Sequence, residues 1–85
     1  NYPNPFNPVT TIRFGLSEPR RVSLIIVNML GHEVAELLNG WTDLGYHEIR
    51  WRSFDNHGVP VASGVYFAVL RDGASIDVRR MILLK

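Results

Sequence analysis

Apolar and polar residues alternate along much of the chain, which is the pattern of β-strands that bury one face. Ile12, Phe14 and Leu16 fall on one side of the first such segment, as the two-residue repeat of a strand requires. Residues 45–51 alternate in the same way, whereas residues 22–27 are apolar on both faces near their middle. Because a strand with two apolar faces is typical of the centre of a sheet, we expect residues 22–27 to form a central strand.

Residues 32–40 fit either a helix or a strand. Three of their apolar residues have helical spacing, and Gly40 would make a good helix C-cap. The all-β surroundings and the short length of the segment favour a strand that pairs with the strand before it. Residues 41–45, which include Trp41, are expected to form a loop.

Polar segments with turn signals separate the predicted strands. Gly31 closes the turn NMLG and is available for positive φ. The long connection 53–64 carries DNHG, in which we expect Asp55 to accept backbone donors in an Asx-turn while Gly58 takes positive φ. Calcium binding by this loop stays open, although its spacing misses the EF-hand pattern. DGAS, residues 72–75, predicts a hairpin turn before the last strand.

Together these segments predict an all-β fold, an immunoglobulin-like antiparallel β-sandwich of about seven strands. Trp51 is in phase with Ile49 and is therefore expected in the core. The sequence Gly64-Val65-Tyr66 would place the Tyr66 hydroxyl on a nearby backbone group, like the tyrosine corner of sandwich folds.

The chain begins with NYPNPFNP, a proline-rich segment that fits no regular secondary structure. Each proline fixes its own φ and favours extended geometry in the residue before it. We therefore expect residues 1–8 to form a stiff strap, with Tyr2 and Phe6 packed against the fold. A disordered ligand for an aromatic groove is the alternative. Residues 9–85 would form the sandwich, so that residues 1–85 make one domain.

The composition is that of an ordinary globular protein, with room for one core in 85 residues. A formal net charge of +1 gives no reason to expect nucleic acid or an anionic membrane as a partner. The chain has no cysteine, which leaves its compartment open. Its apolar runs are too short for a transmembrane helix, so we expect no membrane insertion. Since the sequence has neither an initiator methionine nor an export leader, we expect a fragment of a longer protein.

The residues supply no convincing catalytic motif. The zinc-protease motif HExxH nearly occurs at His32 and at His47, but both places lack the second histidine. Ser63, His47 and Asp43 could be named as a triad, yet the glycine of a nucleophile elbow is missing before Ser63. We therefore expect no enzymatic activity, no cofactor and no metal site, with calcium binding by the loop at Asp55 to Gly58 as the one question that stays open.

Five stretches, taken in order, resemble one known family. They are YPNPFNPVTTIRF, VSLIIVNMLGHEV, GYHEIRW, the segment from Asp55 through Gly58 to VASGVYF, and RRMILLK. Together they resemble the type A C-terminal sorting domain of proteins exported by the type IX (Por) secretion system of Gram-negative bacteria. Two turns depart from the family's usual pattern: Asn28 stands where the family usually has aspartate, and Arg52-Ser53 replaces Asp-Gly.

This resemblance implies a secretion signal rather than an enzyme. The outer-membrane translocon and its shuttle protein would read the domain, which would follow an upstream cargo domain. A cell-surface sortase of cysteine-protease type would then remove it, leaving the cargo secreted or at the cell surface. The resemblance also places recognition in the last hairpin and the final strand. The residues expected there are Gly73, Arg79, Arg80, Met81, Ile82, Leu83, Leu84 and Lys85.

Two other functions stay open. The chain more weakly resembles the immunoglobulin-like domain of the flagellar hook-capping protein through the pattern W…DxxG…G-x-Y, which would make it a structural assembly module. Trp41 could instead stack on a sugar, as in a carbohydrate-binding module.

Overall fold

The fold is built from six strands in two antiparallel sheets. The structure is a computed structural model that describes residues 7–73 and 75–85, so the predicted packing of Tyr2 and Phe6 lies outside the described residues. The strands are β1 (Thr10–Leu16), β2 (Arg20–Val27), β3 (Glu33–Thr42), β4 (Gly45–Trp51), β5 (Gly64–Arg71) and β6 (Ile76–Leu83). The smaller sheet pairs β1 with β4, and the larger has the order β3-β2-β5-β6. Within these residues, no helix has the length and apolar character needed to cross a membrane.

The all-β prediction is confirmed, but the structure has six strands rather than about seven. The connection between β4 and β5 forms a single antiparallel bridge, Phe54 to Pro60, instead of a further strand. Two local features explain this. Gly58 has a φ of +77° in the turn, and Pro60 has no N–H with which to extend a ladder.

The pairing of β3 explains why its apolar residues have helical spacing. Its pairing with β2 is interrupted twice, between Leu24 and Ile25 and between Ile26 and Val27. At each interruption β3 carries one extra residue, first Leu37 and then Val34, and such β-bulges break the two-residue repeat of a strand. The expected loop at residues 41–45 is wrong at its start. Trp41 lies in β3, because the pairing continues as far as Arg20 and Thr42.

One hydrophobic core joins the two sheets. In the strands without bulges the buried residues face this core in alternation, and the indole ring of Trp51 from β4 meets the ring of Tyr66 from β5 edge-on, at 5.4 Å between centroids. The Tyr66 hydroxyl donates to the backbone carbonyl of Ala62 at 2.7 Å. The buried hydrophobic residues are Ile12, Phe14, Leu16, Val22, Leu24, Ile26, Ala35, Trp51, Tyr66, Ala68, Leu70 and Leu83.

Ser53 anchors the chain where it enters β1. This residue is fully buried and has a φ of +68°, a left-handed conformation that costs a residue with a side chain roughly 1 kcal/mol or more. Its hydroxyl donates to the backbone carbonyl of Pro8, a bond that a glycine at this position could not make.

Candidate functional site

β6 is an edge strand of the four-stranded sheet, and its two faces differ in burial. Leu83 faces the core and is only 2% exposed, and Met81 is partly buried against the core. Ile82, on the opposite face, is 61% exposed, and Leu84, which follows the strand in phase with Ile82, is 78% exposed. We call this opposite face, which points away from the core, the outer face of the sheet.

The outer face of β6 is largely apolar. Besides Ile82 and Leu84, it carries the exposed residues Ile76 and Val78, with the exposed Arg80 among them. Exposed apolar side chains in a contiguous row are unusual on a soluble protein and commonly mark an interaction surface.

The apolar surface of β6 continues onto the neighbouring strands. Val65 and Val69 of β5 lie directly opposite Ile82 and Val78, and they are half-buried. Ile25 of β2 in turn lies opposite Val69. Since residues directly opposite in an antiparallel pair point to the same side of the sheet, these side chains form one surface with the exposed row of β6.

β6 also presents a regular edge. Its pairing with β5 runs from Gly64 and Leu83 to Arg71 and Ile76 without a register shift, and the strand order places no further strand beyond β6 within the described residues. A flat edge strand leaves a row of backbone N–H and C=O groups available for pairing with another chain.

The opposite edge of the same sheet, formed by β3, is covered at residues 33–36 by the connection that follows β4, and we call it the closed edge. The backbone N–H of Asn56 donates to the Val34 carbonyl at 3.0 Å, and its side-chain oxygen accepts from the Glu36 N–H at 2.8 Å. The Asn56 amide also donates to the Glu33 carboxylate at 3.0 Å. Asn56 therefore occupies one donor and one acceptor of the β3 edge, as a residue of a paired strand would.

Asp55 holds this connection in shape. One of its carboxylate oxygens accepts from the N–H groups of His57 at 2.8 Å and of Val59 at 2.9 Å. These two bonds, that of Val59 first, favour the charged form and keep the pKa of Asp55 below its ordinary value, although partial desolvation opposes the shift. The geometry is that of an Asx-turn.

The residues predicted for recognition divide between several roles. Arg79 spans the gap between the sheets: its guanidinium contacts the Asp77 carboxylate at 2.9 Å and donates to the backbone carbonyl of Arg13 in β1. Gly73 lies in the β5–β6 turn with a φ of +96°, a conformation that disfavours any other residue. The backbone N–H of Lys85 donates to the Ser63 hydroxyl at 3.0 Å. Of the predicted set, the side chains of Arg80, Ile82 and Leu84 lie on the outer face.

Two residues of the outer face, Ile76 and Val78, were missed as candidates for recognition. The two-residue repeat of β6 is the signal that could have found them, because both are in phase with Arg80 and Ile82. The capping role of Asn56 has no comparable signal, since the bond to Glu36 joins residues 20 positions apart.

The weak catalytic and metal motifs do not assemble into a site. The His47 ring stacks on Phe14, with 5.2 Å between centroids, and its Nε2 contacts the backbone carbonyl of Asp43 rather than its carboxylate. That carboxylate accepts from the Leu44 N–H. Within the described residues, no three histidine, aspartate or glutamate side chains are grouped closely enough to hold a metal ion.

Trp41 is 74% exposed, as expected of a residue outside the core. It lies directly opposite Arg21 of β2, on the outer face of the sheet but at the β3 edge. It therefore provides a comparison residue for the exposed row of β6, because it is a large exposed side chain at the other side of the same surface.

Comparison with known families assigns the chain along nearly its whole length. The family model for the secretion system C-terminal sorting domain matches residues 1–84. No curated protein matches the chain, and no solved structure does.

Proposed function

The chain belongs to the family of secretion system C-terminal sorting domains, which serves type IX secretion, and we propose that its β6 edge is the surface that the secretion machinery recognises. The family consists of sorting signals and is not a catalytic family. Membership therefore supports a role as a C-terminal secretion signal. What remains to be assigned is the part of the domain that carries the signal.

The observation that carries this proposal is the exposed apolar row of β6 on a regular edge, which no other strand of the described residues covers. Ile82 is 61% exposed and Leu84 78%, while the other edge of the sheet is occupied by Asn56. Leaving such an edge open exposes a protein to unwanted pairing. A partner that binds there gives a physical reason for retaining it. The partner-binding residues that we propose are Ile76, Val78, Arg80, Ile82 and Leu84, with Gly73 shaping the turn before them.

We propose further that the two sheets form an immunoglobulin-like sandwich and that residues 1–85 fold as one domain. The common core of the two sheets and the Tyr66 hydroxyl bond to Ala62 support this proposal. The bond has the form of a tyrosine corner, in which a tyrosine hydroxyl reaches back to the backbone a few residues upstream.

The proposed course of export follows from the family. The domain would accompany an upstream cargo protein to the outer membrane, bind the translocon and its shuttle protein, and reach the cell surface or the medium. A surface sortase of cysteine-protease type would then remove it. The mass of the exported cargo, compared between strains with and without the sortase, tests the removal step.

The export signal is tested with a reporter fusion. Residues 1–85 are placed behind a periplasmic leader and a fluorescent reporter and expressed with and without a working type IX translocon. We expect the reporter at the surface or in the medium only in the competent strain. Reporter trapped in the periplasm of both strains, with the domain folded, would contradict the export function for this translocon.

Two variants then test the surface. Ile82→Asp adds a charge to the exposed row of β6, and Trp41→Asp adds the same charge at the β3 edge of the same face. Export should fall with Ile82→Asp and persist with Trp41→Asp, while both variants unfold at similar denaturant concentrations. If export fell equally in both variants, or fell in neither, β6 would not be the recognition surface.

A further inference from the structure

The outer face of the sheet has an uneven charge. Arg80 lies between Val78 and Ile82 in the exposed row of β6, and Arg71 of β5 lies opposite Ile76. Neither arginine belongs to the ion pairs found among the described residues, which join Arg13 to Glu48, Arg20 to Glu18 and Arg79 to Asp77.

The acidic residues of the outer face lie on its far side. Glu36 and Glu33 of β3 are opposite Ile25 and Val27 of β2, and Glu33 is engaged by Asn56. Toward the closed edge the surface therefore carries two carboxylates beside one guanidinium, that of Arg21 on β2, whereas toward the open edge its charged residues are Arg71 and Arg80. Because the outer face of β6 offers one cationic guanidinium, that of Arg80, between the apolar side chains of Val78 and Ile82, a complementary partner has to bring a carboxylate between apolar side chains.

From this arrangement we infer that β6 accepts an extended, acidic segment of its partner as a fifth strand of the sheet. In the added strand, an aspartate or glutamate lies opposite Arg80, and apolar residues lie opposite Val78 and Ile82. This inference rests on the proposed function, since it gives the chemistry of the partner that the β6 edge would recognise. Backbone hydrogen bonds supply the pairing and the alternate side chains supply the specificity, as in other strand additions.

A second copy of the chain fits this edge less well than an acidic strand does. Antiparallel pairing of β6 with itself must align outer-face residues with outer-face residues. The two registers that do so while overlapping most of the strand place either Arg80 opposite Arg80 or Arg79 opposite Arg79. Like charges directly opposite each other destabilise a strand pair, so the arginines protect the edge against self-pairing while leaving it open to an acidic strand.

The chemistry of the edge can be tested without the secretion machinery. The probe is a strand of sequence VTVTETVTV, joined behind Lys85 by a flexible Gly/Ser linker, and its control is VTVTKTVTV on the same linker. Every second residue of the probe faces the outer side, and the linker raises the effective concentration of the strand. The readout is hydrogen exchange of the β6 backbone amides.

We expect the glutamate strand to slow exchange in β6 at least about tenfold more than the lysine strand does, since like-charge juxtaposition in an interface costs several kcal/mol and 1.4 kcal/mol corresponds to tenfold. In Arg80→Glu, the preference should reverse toward the lysine strand. Equal protection by both strands, or the same preference in Arg80→Glu, would overturn the inference. A concentration-dependent dimer of the unmodified chain with protected β6 amides would overturn it in favour of a second copy.

The export assay separates this inference from the proposed function. Arg80→Glu should lower reporter export about tenfold or more, whereas Arg80→Lys keeps the charge and should keep most of the export. Arg21→Glu, an exposed charge reversal near the β3 edge, should leave export unchanged. If the wild-type domain is exported and Arg80→Glu is exported equally well, the acidic-strand inference fails while the export function stands. If the wild-type domain is not exported, the export function fails, and the tethered strands still decide the chemistry of the edge.

Discussion

The two edges of the four-stranded sheet differ in how their unpaired backbone N–H and C=O groups are treated. At the β3 edge, two bulges distort the strand, and Asn56 occupies a backbone carbonyl and a backbone N–H. At the β6 edge the register is regular, and the outer side chains are apolar and exposed. Both bulges and a covering loop are known means of preventing edge-to-edge pairing, and among the residues that the structure describes they occur at the β3 edge and not at the β6 edge.

The difference shows that an open edge is not an unavoidable consequence of this fold. The chain has the means of closing an edge, since one asparagine and a short connection do so at β3. Among the described residues, β6 is protected against self-pairing by the charge of Arg79 and Arg80. A charged edge excludes a like-charged strand and admits a complementary one, so the contrast favours β6 as a site of selective pairing.

The largest effect is expected from breaking the link between β6 and the core. Leu83→Ala removes a side chain that is 2% exposed and should lower the free energy of unfolding by about 3 kcal/mol, from lost burial and the cavity left behind. The neighbouring Ile82→Ala truncates a side chain that is 61% exposed and should cost about 0.5 kcal/mol.

Denaturant unfolding monitored by tryptophan fluorescence measures both variants. At conditions where both variants are folded, Ile82→Ala should reduce export of the reporter more than Leu83→Ala does, because Ile82 lies on the proposed partner surface and Leu83 does not. Similar stability losses in the two variants would mean that the two faces of β6 do not differ as described.

Opening the closed edge is the next prediction in size. Asn56→Ala removes the acceptor of the Glu36 N–H and the donor to Glu33, and it should lower the free energy of unfolding by about 1 kcal/mol. Hydrogen exchange at the Glu36 amide should accelerate by more than exchange in β5, which is paired on both sides. Asn39→Ala is the matched control, because the Asn39 side chain donates to the Glu36 carboxylate, at 3.3 Å, and not to the backbone of the β3 edge. Unchanged exchange at Glu36 in Asn56→Ala would show that Asn56 does not close this edge.

A smaller effect should separate the two arginines of β6. Arg79→Ala loses the contacts to Asp77 and to the Arg13 carbonyl, and it should lower the free energy of unfolding by about 0.5 to 1 kcal/mol because the group is partly exposed. Arg80→Ala should leave stability nearly unchanged and reduce export. Thermal unfolding and the reporter assay measure the two quantities, and a reversal of these roles would contradict the placement of the two side chains.

The sequence predicts the regular parts of this fold well. β1 and β4 keep an undisturbed two-residue repeat, so the positions of Ile12 and Trp51 in the core follow directly from their phase. β3 is harder to predict, because the extra residues Val34 and Leu37 give its apolar residues a spacing that a helix would also show. Here only the surroundings of the segment favour a strand.

The candidate site is predictable only in part. The family resemblance points to the last strand, but alternation is needed to divide that strand into core-facing and outer residues. Neither signal finds the contacts that define the two edges. Arg79 meets the carbonyl of Arg13 across 66 positions of sequence, and Asn56 meets Glu36 across 20. Such contacts depend on how the sheets pack and have no local pattern in the sequence.

The smallest effect that we predict is a pH dependence of the closed edge. Backbone hydrogen bonds from Val59 and His57 lower the pKa of Asp55, so its charged form stabilises the folded state above the unfolded pKa of about 3.9. That contribution should be lost as the pH falls through the lower folded pKa. The difference in unfolding free energy between the wild type and Asp55→Asn should therefore shrink over the same interval, because the variant cannot titrate there.

An NMR titration of the Asp55 carboxyl carbon gives the folded pKa directly. A value at or above about 3.9 would mean that Asp55 does not hold the connection against β3 through its charge. No hydrogen bond among the described residues joins β6 to this loop. As the pH falls through the folded pKa of Asp55, hydrogen exchange at the Glu36 amide should therefore rise, while exchange of the β6 amides keeps its ordinary pH dependence.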